Sequence, residues 1–420
     1  MKISLVTPTH RKDPKFLIEA WGSVKNQTYK DWEWVIVKNG EGSVPKEIQE
    51  DKRVRVLDYK PINQFVGEVK NFAFNQGQGE VLFELDHDDL LHPEALEKCA
   101  KAFQDKEVVF AYSNASHFRW PSFEPFLFGE GFGWEYEEVE FQGRKFKSAI
   151  SRDVSPASLA YIWYAPDHFR AWRKDFYVKI GGHNKGLKIL DDQELMVRTY
   201  LAGGKMEHIN ECLYFYRVHG DNAWLQYNQE IQNLTVEMGN RYLYNLAEEW
   251  TRREGLRKID MGGRFSCPVG YESLDLKDAH IIADANEKLP LEDNSIGIVR
   301  AFDFLEHIQD KQHIINEIFR VLVPGGWLLS MTPSTDGRGA FQDPTHVSYW
   351  NQNSFWYYTR EEQAKYIDNN KIRFAAIRLM TGFPSPWHIQ NNIPYVYADL
   401  VALKGQEKDY QSRPPGIIEI

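Results

Sequence analysis

Residues 79–89 read GEVLFELDHDD, and in this stretch an apolar run ends abruptly in three carboxylates and a histidine. The apolar side chains from Val81 to Leu85 predict a strand that is buried on both faces, as in parallel sheets. Carboxylates at the end of such a strand do not build a core, but they can bind a hard cation that bridges to phosphates. In open α/β sheets, ligands bind beyond the carboxyl ends of the strands, where these acids lie. The alternative is that the acids solvate a loop and cap a helix that begins near Pro93.

Length and composition exclude several classes of protein. The 420 residues are enough for two or three domains. The formal net charge of −10 argues against nucleic-acid binding through a basic surface. No apolar run approaches the roughly 20 residues that span a bilayer, and the N-terminus lacks the layout of a signal peptide. The 3 cysteines lie far apart, as in a reducing compartment. We therefore expect a cytoplasmic protein without a transmembrane segment.

The first half of the chain alternates between strand and helix patterns, which predicts a doubly wound, mostly parallel α/β sheet. Three of the predicted strands end in polar clusters, which would gather along one edge of that sheet. Each cluster alone is compatible with an ordinary turn, but together they predict a nucleotide cleft. The loop after the first strand is not rich in glycine, which argues against a P-loop or a dinucleotide fingerprint. The three clusters are residues 7–11, 38–40 and 86–88.

Six short segments carry a resemblance to a known family. They read SLVTPT at 4–9, GEVKN at 67–71, LDHDD at 85–89, GGHN at 181–184, LDDQEL at 190–195 and YRVH at 216–219. With this set, residues 1–225 resemble an inverting glycosyltransferase of family 2, which implies the GT-A fold. The resemblance implies a hexosyltransferase of polysaccharide biosynthesis, with a nucleotide-sugar donor (a UDP-sugar as first choice), a glycan or other hydroxyl acceptor and Mn²⁺ or Mg²⁺ as cofactor.

The resemblance also implies roles for individual residues. Asp192 matches the position of the general base, with the catalytic candidate Asp191 beside it. Asp88 and His219 would bind the metal together with Asp86, which also points toward the ribose. A divalent cation neutralises the leaving diphosphate, and a carboxylate takes the proton of the attacking hydroxyl. The implied donor-binding residues are Pro8, Thr9, His10, Arg11, Asn39, Lys70, Asp86 and His87, of which Pro8, Thr9 and Asn39 would line the base.

Alternatives exist for several of these residues. Asp191 and Asp192 fall at a predicted helix start, where acids also serve as caps. His219 could be an ordinary surface histidine. The family usually carries acids after its second strand, where this chain has Lys38 and Asn39, so the identity of the donor's nucleobase stays open. An aromatic-rich insertion at 114–165 is compatible with an acceptor site or with an interface to the second half.

The second half carries a different set of motifs after a predicted helical linker at 226–254. A predicted strand runs into DMGG at 260–263, another ends at Asp275, and a helix is predicted from Phe304 to Leu322. With DANEKLP at 284–290, LEHI at 305–308 and RVLVPGG at 320–326, residues 255–405 resemble a class I S-adenosylmethionine-dependent methyltransferase, followed by a tail at 406–420. We therefore expect two doubly wound, Rossmann-like domains.

This second resemblance implies a cofactor site. Asp260, Gly262 and Gly263 would hold the methionine part, Asp275 the ribose hydroxyls, and Asp284 and Ala285 the adenine. A carboxylate can accept two hydrogen bonds from vicinal hydroxyls. Arg264 departs from the usual pattern, because a side chain stands where backbone should approach the ligand. The stretch DPTH at 343–346 is compatible with a methyl-acceptor site or with a turn.

The sequence favours metal-dependent, inverting sugar transfer, with methylation by the second half as a further activity. In a second hypothesis, motivated by Arg264, the methyltransferase-like half is a non-catalytic interaction module. A nucleotidyltransferase is a third hypothesis, but it would need a glycine-rich, basic loop after the first strand. A fourth, a glycan-binding protein with an inactive cleft, is disfavoured by the intact acids.

Overall fold

The computed structural model describes residues 1–63, 65–128, 134–161, 166–367 and 373–405. The chain divides into two compact units, Met1–Glu130 with Trp134–Leu246 and, in the second unit, Ala247–Ile420. The predicted tail at 406–420 lies outside the described residues, as do 129–133 and 162–165 of the aromatic-rich insertion. No helix among the described residues is long and apolar enough to cross a membrane.

The first unit is an α/β fold on one mixed sheet with the strand order β3-β2-β1-β4-β9-β6-β10-β5. The strands β3, β2, β1 and β4 are parallel, whereas β9 lies antiparallel between β4 and β6. The hairpin of β7 and β8 pairs with β6 outside this order. The described strands are β1 (Ile3–Thr9), β2 (Trp32–Asn39), β3 (Val54–Tyr59), β4 (Val81–Glu84), β5 (Leu90–Leu91), β6 (Val108–Arg119), β7 (Tyr136–Phe141), β8 (Arg144–Ala149), β9 (Arg170–Arg173) and β10 (Lys205–Val218).

Helices cover this sheet and lead into the second unit. The boundary between the two compact units falls inside the last of them, a 26-residue helix. The helices are α1 (Lys15–Lys25), α2 (Lys46–Gln49), α3 (Val66–Asn75), α4 (Ala95–Ala102), α5 (Pro156–Tyr161), α6 (Lys174–Lys179), α7 (Asp191–Leu201), α8 (Ala223–Gln226) and α9 (Asn228–Arg253).

The central strands are largely buried, and side chains tie them together. All of β4 is buried, as the apolar run predicts. The indole of Trp34 donates to the Thr7 hydroxyl at 2.8 Å, and that hydroxyl donates to the carbonyl of Leu85 at 2.6 Å. Thr7, near the end of β1, thereby links β2 to the residue that follows β4.

The second unit is an α/β fold with the strand order β13-β12-β11-β14-β15-β17-β16. The first five strands are parallel, and β17 runs antiparallel to both of its neighbours. The predicted α/β class is thus confirmed for both halves, with mixed sheets. The described strands are β11 (Arg257–Met261), β12 (Glu272–Asp275), β13 (Ile281–Ile282), β14 (Ile296–Phe302), β15 (Leu322–Pro333), β16 (Phe374–Gly382) and β17 (Tyr395–Ala402).

The helix predicted from Phe304 to Leu322 is wrong as a single element. A short 3₁₀ turn at Leu305–His307 is followed by a separate helix. The reason is Asp310, whose carboxylate accepts from the amides of Gln312 and His313 at 2.9 and 3.0 Å and so caps a new helix start. The described helices of this unit are α10 (Lys311–Val321), α11 (Gly339–Gln342), α12 (Gln352–Thr359), α13 (Glu361–Ala364) and α14 (Pro386–Asn391).

Candidate functional site

The polar clusters after β1, β2 and β4 lie at one edge of the first sheet. Strand register sets Thr9 beside Lys38. Across the gap to the loop after β4, Nε of Arg11 donates to Nε2 of His87 at 2.8 Å. The rings of His10 and His87 meet edge to face, with their centroids 5.5 Å apart. The sequence thus predicts correctly that these segments meet.

Asp88 and His219 form the closest pair of metal-type ligands in this cleft. Nε2 of His219 lies 2.8 Å from Oδ2 of Asp88 and 3.3 Å from a terminal nitrogen of Arg11. A carboxylate and an imidazole side by side make a suitable donor set for Mn²⁺ or Mg²⁺ with further oxygen ligands. Asp86 is set apart from this pair, and its Oδ2 lies 4.0 Å from Nε2 of His168.

The turn that carries these acids is braced by β10. The hydroxyl of Tyr214 donates to Asp89 at 2.9 Å and accepts from the amide of Asp86 at 3.1 Å. The amide of Arg217 donates to the other oxygen of Asp89 at 2.7 Å, and its side chain donates to the carbonyl of Asp88 at 2.6 Å. Asp89 therefore serves the backbone of the turn, which leaves Asp86 and Asp88 directed outward.

A cavity of about 150 Å³ opens beside this turn. Four of the residues predicted for the site share its wall. It lies at the N-terminus of α7, which begins at Asp191. The lining includes Lys70, Asp86, His168, Arg170, Asp191 and Asp192.

Two cations hold the acids of this cavity in place. Lys70 forms an ion pair with Glu84 and lies 3.7 Å from Oδ2 of Asp191. Arg170 forms an ion pair with Asp192 and lies 3.8 Å from Oε2 of Glu84. The side chain of Asp192 is 27% exposed, whereas that of Asp191 is 5% exposed. Asp192 is therefore the carboxylate of the two that a ligand in the cavity can reach.

The environments of these acids separate their pKa values. Burial raises the pKa of Asp191 to about 7, against the pull of Lys70, and the charge of Asp192 adds to the increase. Burial opposes ionisation of Asp192 as well, but Arg170 and Lys70 outweigh it and lower its pKa. Burial also raises the pKa of Asp86 to about 7, although Lys70 counteracts it. Near neutral pH, Asp192 is ionised and Asp191 is partly protonated.

The site predicted for the nucleobase of the donor contains an unpaired polar atom. Pro8 and Thr9 end β1, and Asn39 ends β2. Oδ1 of Asn39 is buried and has no hydrogen-bond partner. Because an unsatisfied buried acceptor is costly, this oxygen is suited to an N–H donor of a ligand such as a nucleobase. Lys38 instead forms an ion pair with Asp58 at 2.8 Å.

Comparison with known proteins identifies the first unit. Residues 4–153 match the family described as "Glycosyl transferase family 2". The chain carries a family 2 glycosyltransferase domain. It is 27% identical over 222 residues to the O-antigen biosynthesis protein RfbC of Myxococcus xanthus, covering 51% of this chain and 16% of that protein. It is 26% identical over 220 residues to the glycosyltransferase GlyG of Streptococcus pneumoniae, covering 51% of this chain and 70% of that protein.

Further likenesses extend over the same half. The chondroitin synthase of Pasteurella multocida is 26% identical over 227 residues, covering 53% of this chain and 20% of that protein. The chain thus spans less than a quarter of the length of two of these three relatives. Among solved structures, the UDP complex of S. aureus TarS 1–349 is similar with a TM-score of 0.41 and 17% identity, covering 61% of this chain and 72% of that chain.

The second half matches a different family. Residues 270–330 match the family described as "Methyltransferase domain". The chain therefore also carries a methyltransferase domain, and both predicted resemblances are confirmed at this level. The match begins after the DMGG motif, and all of the predicted cofactor residues stay predictions.

In the methyltransferase domain, the predicted cofactor residues follow neighbouring strands. Asp260 lies in β11 and Asp275 ends β12, while Asp284 and Ala285 follow β13. One oxygen of Asp260 binds Arg300 at 2.6 Å, and the other, Oδ2, is buried without a hydrogen-bond partner.

The glycines of the motif have no room for a side chain. A Cβ on Gly263 would lie 2.3 Å from Oδ2 of Asp260, and Gly262 adopts a φ of +74°. The side chain of Arg264 forms an ion pair with Asp278. The unpaired oxygen of Asp260 and the close-packed turn fit a bound cofactor, and Arg264 has a partner of its own.

Several residues of the glycosyltransferase cleft are missed by sequence reasoning. Arg170 and His168 lie in or beside the antiparallel strand β9, which the alternation pattern does not predict. Glu84 stands inside an apolar run, and this unusual position is the signal that could have found it. Tyr214 and Arg217 lie within or next to the YRVH segment, but their contacts with the acidic turn are visible only in the fold.

Proposed function

We propose that the chain transfers a sugar from a nucleotide-sugar donor to a hydroxyl of a glycan or another acceptor, with inversion at the anomeric centre and with a divalent cation. The observation that carries the proposal is the cavity whose wall combines Lys70, Asp86, Asp191 and Asp192 beside the Asp88–His219 pair. The relatives named for O-antigen biosynthesis and chondroitin synthesis support a glycan acceptor.

On the donor side, Asp88 and His219 would hold the cation. The cation supplies positive charge that offsets the charge of the leaving nucleotide. The unpaired oxygen of Asn39 would accept from the base, and Asp86 would accept from the ribose hydroxyls. A UDP-sugar is the first choice of donor.

On the acceptor side, we assign the proton-accepting role to Asp192. It is the more exposed of the two acids, and its ionised form is stabilised by Arg170. A carboxylate that is ionised at working pH can accept a hydrogen bond from the hydroxyl and take its proton as the new bond forms. Attack from the face opposite the leaving nucleotide inverts the anomeric centre.

A donor screen tests this proposal. The full chain is screened with nucleotide sugars and Mn²⁺ or Mg²⁺ by thermal shift, and the best donor is then tested for nucleotide release and for the anomeric configuration of the product by NMR. We expect one class of donor to raise the Tm and to release nucleotide, and both effects should require the cation. Both effects should be lost in Asp88→Ala. The control is Asp105→Ala, which removes an acid that is ion-paired with Lys205. An Asp88→Ala variant that still releases nucleotide from every accepted donor would refute the assignment of the cation site.

For the second half, we propose that the methyltransferase domain binds S-adenosylmethionine and methylates the glycan made by the first. The cofactor would supply the methyl group, with Asp260 near its methionine part, Asp275 at its ribose and Asp284 at its adenine. The unpaired Oδ2 of Asp260 and the family match at 270–330 support this proposal. Two activities in one chain raise the effective concentration of the shared intermediate.

Calorimetric titration of the full chain with S-adenosylmethionine separates this proposal from its rival, the interaction module. Binding at micromolar concentrations supports the methyltransferase. The absence of heat at millimolar cofactor, with sugar transfer intact, supports the interaction module.

A further inference from the structure

A cluster of three side chains of metal-ligating types lies in the second unit, outside the residues assigned to the methyl-donor cofactor. Ligand atoms of Glu306, His307 and His346 all lie within 4.8 Å of one another, the single such group among the described residues. Glu306 and His307 belong to the 3₁₀ turn after β14, and His346 lies in the loop after α11. The cluster therefore joins two segments that are 38 or more residues apart in sequence.

The carboxyl group of Glu306 is buried with weak compensation, from its own backbone amide and the Thr332 hydroxyl. Its side chain is 2% exposed, and no donor forms a well-shaped hydrogen bond with either oxygen. The nearest histidine nitrogen, Nε2 of His346, lies 4.0 Å from Oε1. An ionised carboxylate at this depth needs a partner, because burial of an unpaired charge is costly. A cation between these groups would supply that partner.

Nδ1 of each ring lies close to a backbone carbonyl oxygen. Nδ1 of His346 lies 2.9 Å from the carbonyl oxygen of Ala340. Nδ1 of His307 lies 3.2 Å from the carbonyl oxygen of Thr345 and 3.2 Å from the hydroxyl of the same residue. When Nδ1–H donates to a carbonyl, Nε2 keeps its lone pair, and this outer hydrogen bond is the usual support of a metal ligand.

The backbone holds the two segments together without a metal. The amides of Val347 and Ser348 donate to the carbonyl oxygen of Glu306 at 2.9 and 3.0 Å. The Ser348 hydroxyl donates to the carbonyl of Leu305 at 3.0 Å. The ligand groups are therefore brought together by the fold, which lowers the ordering cost of binding an ion.

We propose that Glu306, His307 and His346 bind one divalent transition-metal ion, with zinc as the ion that suits two imidazoles and one carboxylate. Three protein ligands leave one coordination position open for a water molecule or for an oxygen of a small molecule. All three ligands belong to the second unit, and none of them is a residue proposed for sugar transfer.

Zinc titration of the full chain tests this proposal. The experiment uses Asp88→Ala as background, because that change removes a ligand of the other candidate site. The chelator-treated protein is titrated with Zn²⁺ against a chromophoric competitor, and bound metal is counted by mass spectrometry. We expect one zinc ion per chain and an increase in Tm on binding.

In His307→Ala we expect zinc affinity to fall by about 100-fold or more. Removing a metal ligand should cost more affinity than mutating a residue that only hydrogen-bonds to a ligand, which typically costs about 10- to 100-fold. His307 is exposed, so this variant should fold. The matched control is His313→Ala, which changes another histidine of the same unit and should leave affinity unchanged. The proposal is overturned if the parent binds no zinc, or if His307→Ala and His313→Ala bind it equally well. Glu306→Gln, with its Tm measured with and without zinc, provides a second variant.

Discussion

Replacing Asp192 by asparagine should remove most of the sugar-transfer rate without unfolding the protein. Asparagine keeps the size of the side chain and can still accept from the amide of Gln193, a contact of 2.7 Å in the parent. Arg170 would lose Asp192 but keep Glu84 at 3.8 Å. At that distance and an effective dielectric constant of about 20, the remaining attraction is about 4 kcal/mol. The buried cation is therefore still compensated, and the loss should appear in the rate.

The size of the loss follows from the role proposed for Asp192. A positioned base contributes about 10²- to 10⁴-fold to a rate, which corresponds to about 3 to 5 kcal/mol of transition-state stabilisation. We expect kcat to fall by that factor and KM for the donor to stay within about 3-fold, because the donor contacts lie elsewhere. Asp191→Asn, the matched control, should lower kcat by about 10-fold or less.

The pH profile separates the two neighbouring acids. The pKa of Asp192 is lowered, so its ionised form does not limit kcat, measured at saturating donor and cation, as the pH falls from 8 to about 5. The pKa of Asp191 is raised to about 7, so a rate that depended on ionised Asp191 would fall as the pH drops through 7. The assay is nucleotide release from the accepted donor at fixed cation concentration. Two results together would refute the reasoning. They are a parent-like kcat in Asp192→Asn, and a fall in the parent's rate below about pH 7 that is absent from Asp191→Asn.

Two further predictions use matched pairs. In a denaturant titration, Gly67→Ala should destabilise the first unit by about 1 to 3 kcal/mol, because its Cβ would lie 2.0 Å from the backbone oxygen of Asn184. The control is Gly22→Ala, which should be neutral or stabilising, since nothing lies within 4 Å of its Cβ. Asp275→Asn should weaken S-adenosylmethionine binding by about 10-fold or more in calorimetry, since a hydrogen bond to a charged acceptor contributes about 1.5 to 3 kcal/mol. The control Asp293→Asn, which removes an exposed partner of Arg320, should leave the affinity unchanged. Equal affinities of the two variants would contradict the role of Asp275.

The sequence predicts those parts of the fold that depend on local patterns. The apolar run before Asp86 predicts a buried strand, and β4 is fully buried. Polar clusters after parallel strands meet at one edge for a geometric reason, and Arg11 does contact His87 there. Asp191 begins a helix, as its position predicts. Each of these inferences needs only a few neighbouring residues and the rule that parallel strands share a carboxyl edge.

The missed features depend on contacts between distant segments. The strand β9 has four residues and lies antiparallel between β4 and β6, so no alternation pattern reveals it. Its register sets Arg170 directly opposite Glu84. The metal-type cluster around Glu306 likewise needs the loop that carries His346 to fold back onto the 3₁₀ turn. The LEHI and DPTH segments both stand out in the sequence, but nothing local indicates that they meet.

The different character of Asp191 and Asp192 follows from a count of charges. Two cations, Lys70 and Arg170, contact three carboxylates, those of Glu84, Asp191 and Asp192. One carboxylate therefore lacks a matching charge, and burial disfavours ionisation most where water is excluded. Asp191 is the more deeply buried of the adjacent pair, and its Oδ2 has no hydrogen-bond partner. Near pH 7, Asp191 is partly protonated. Of these two neighbours, Asp192 therefore presents the fully ionised carboxylate to the cavity and is the single base for the acceptor hydroxyl.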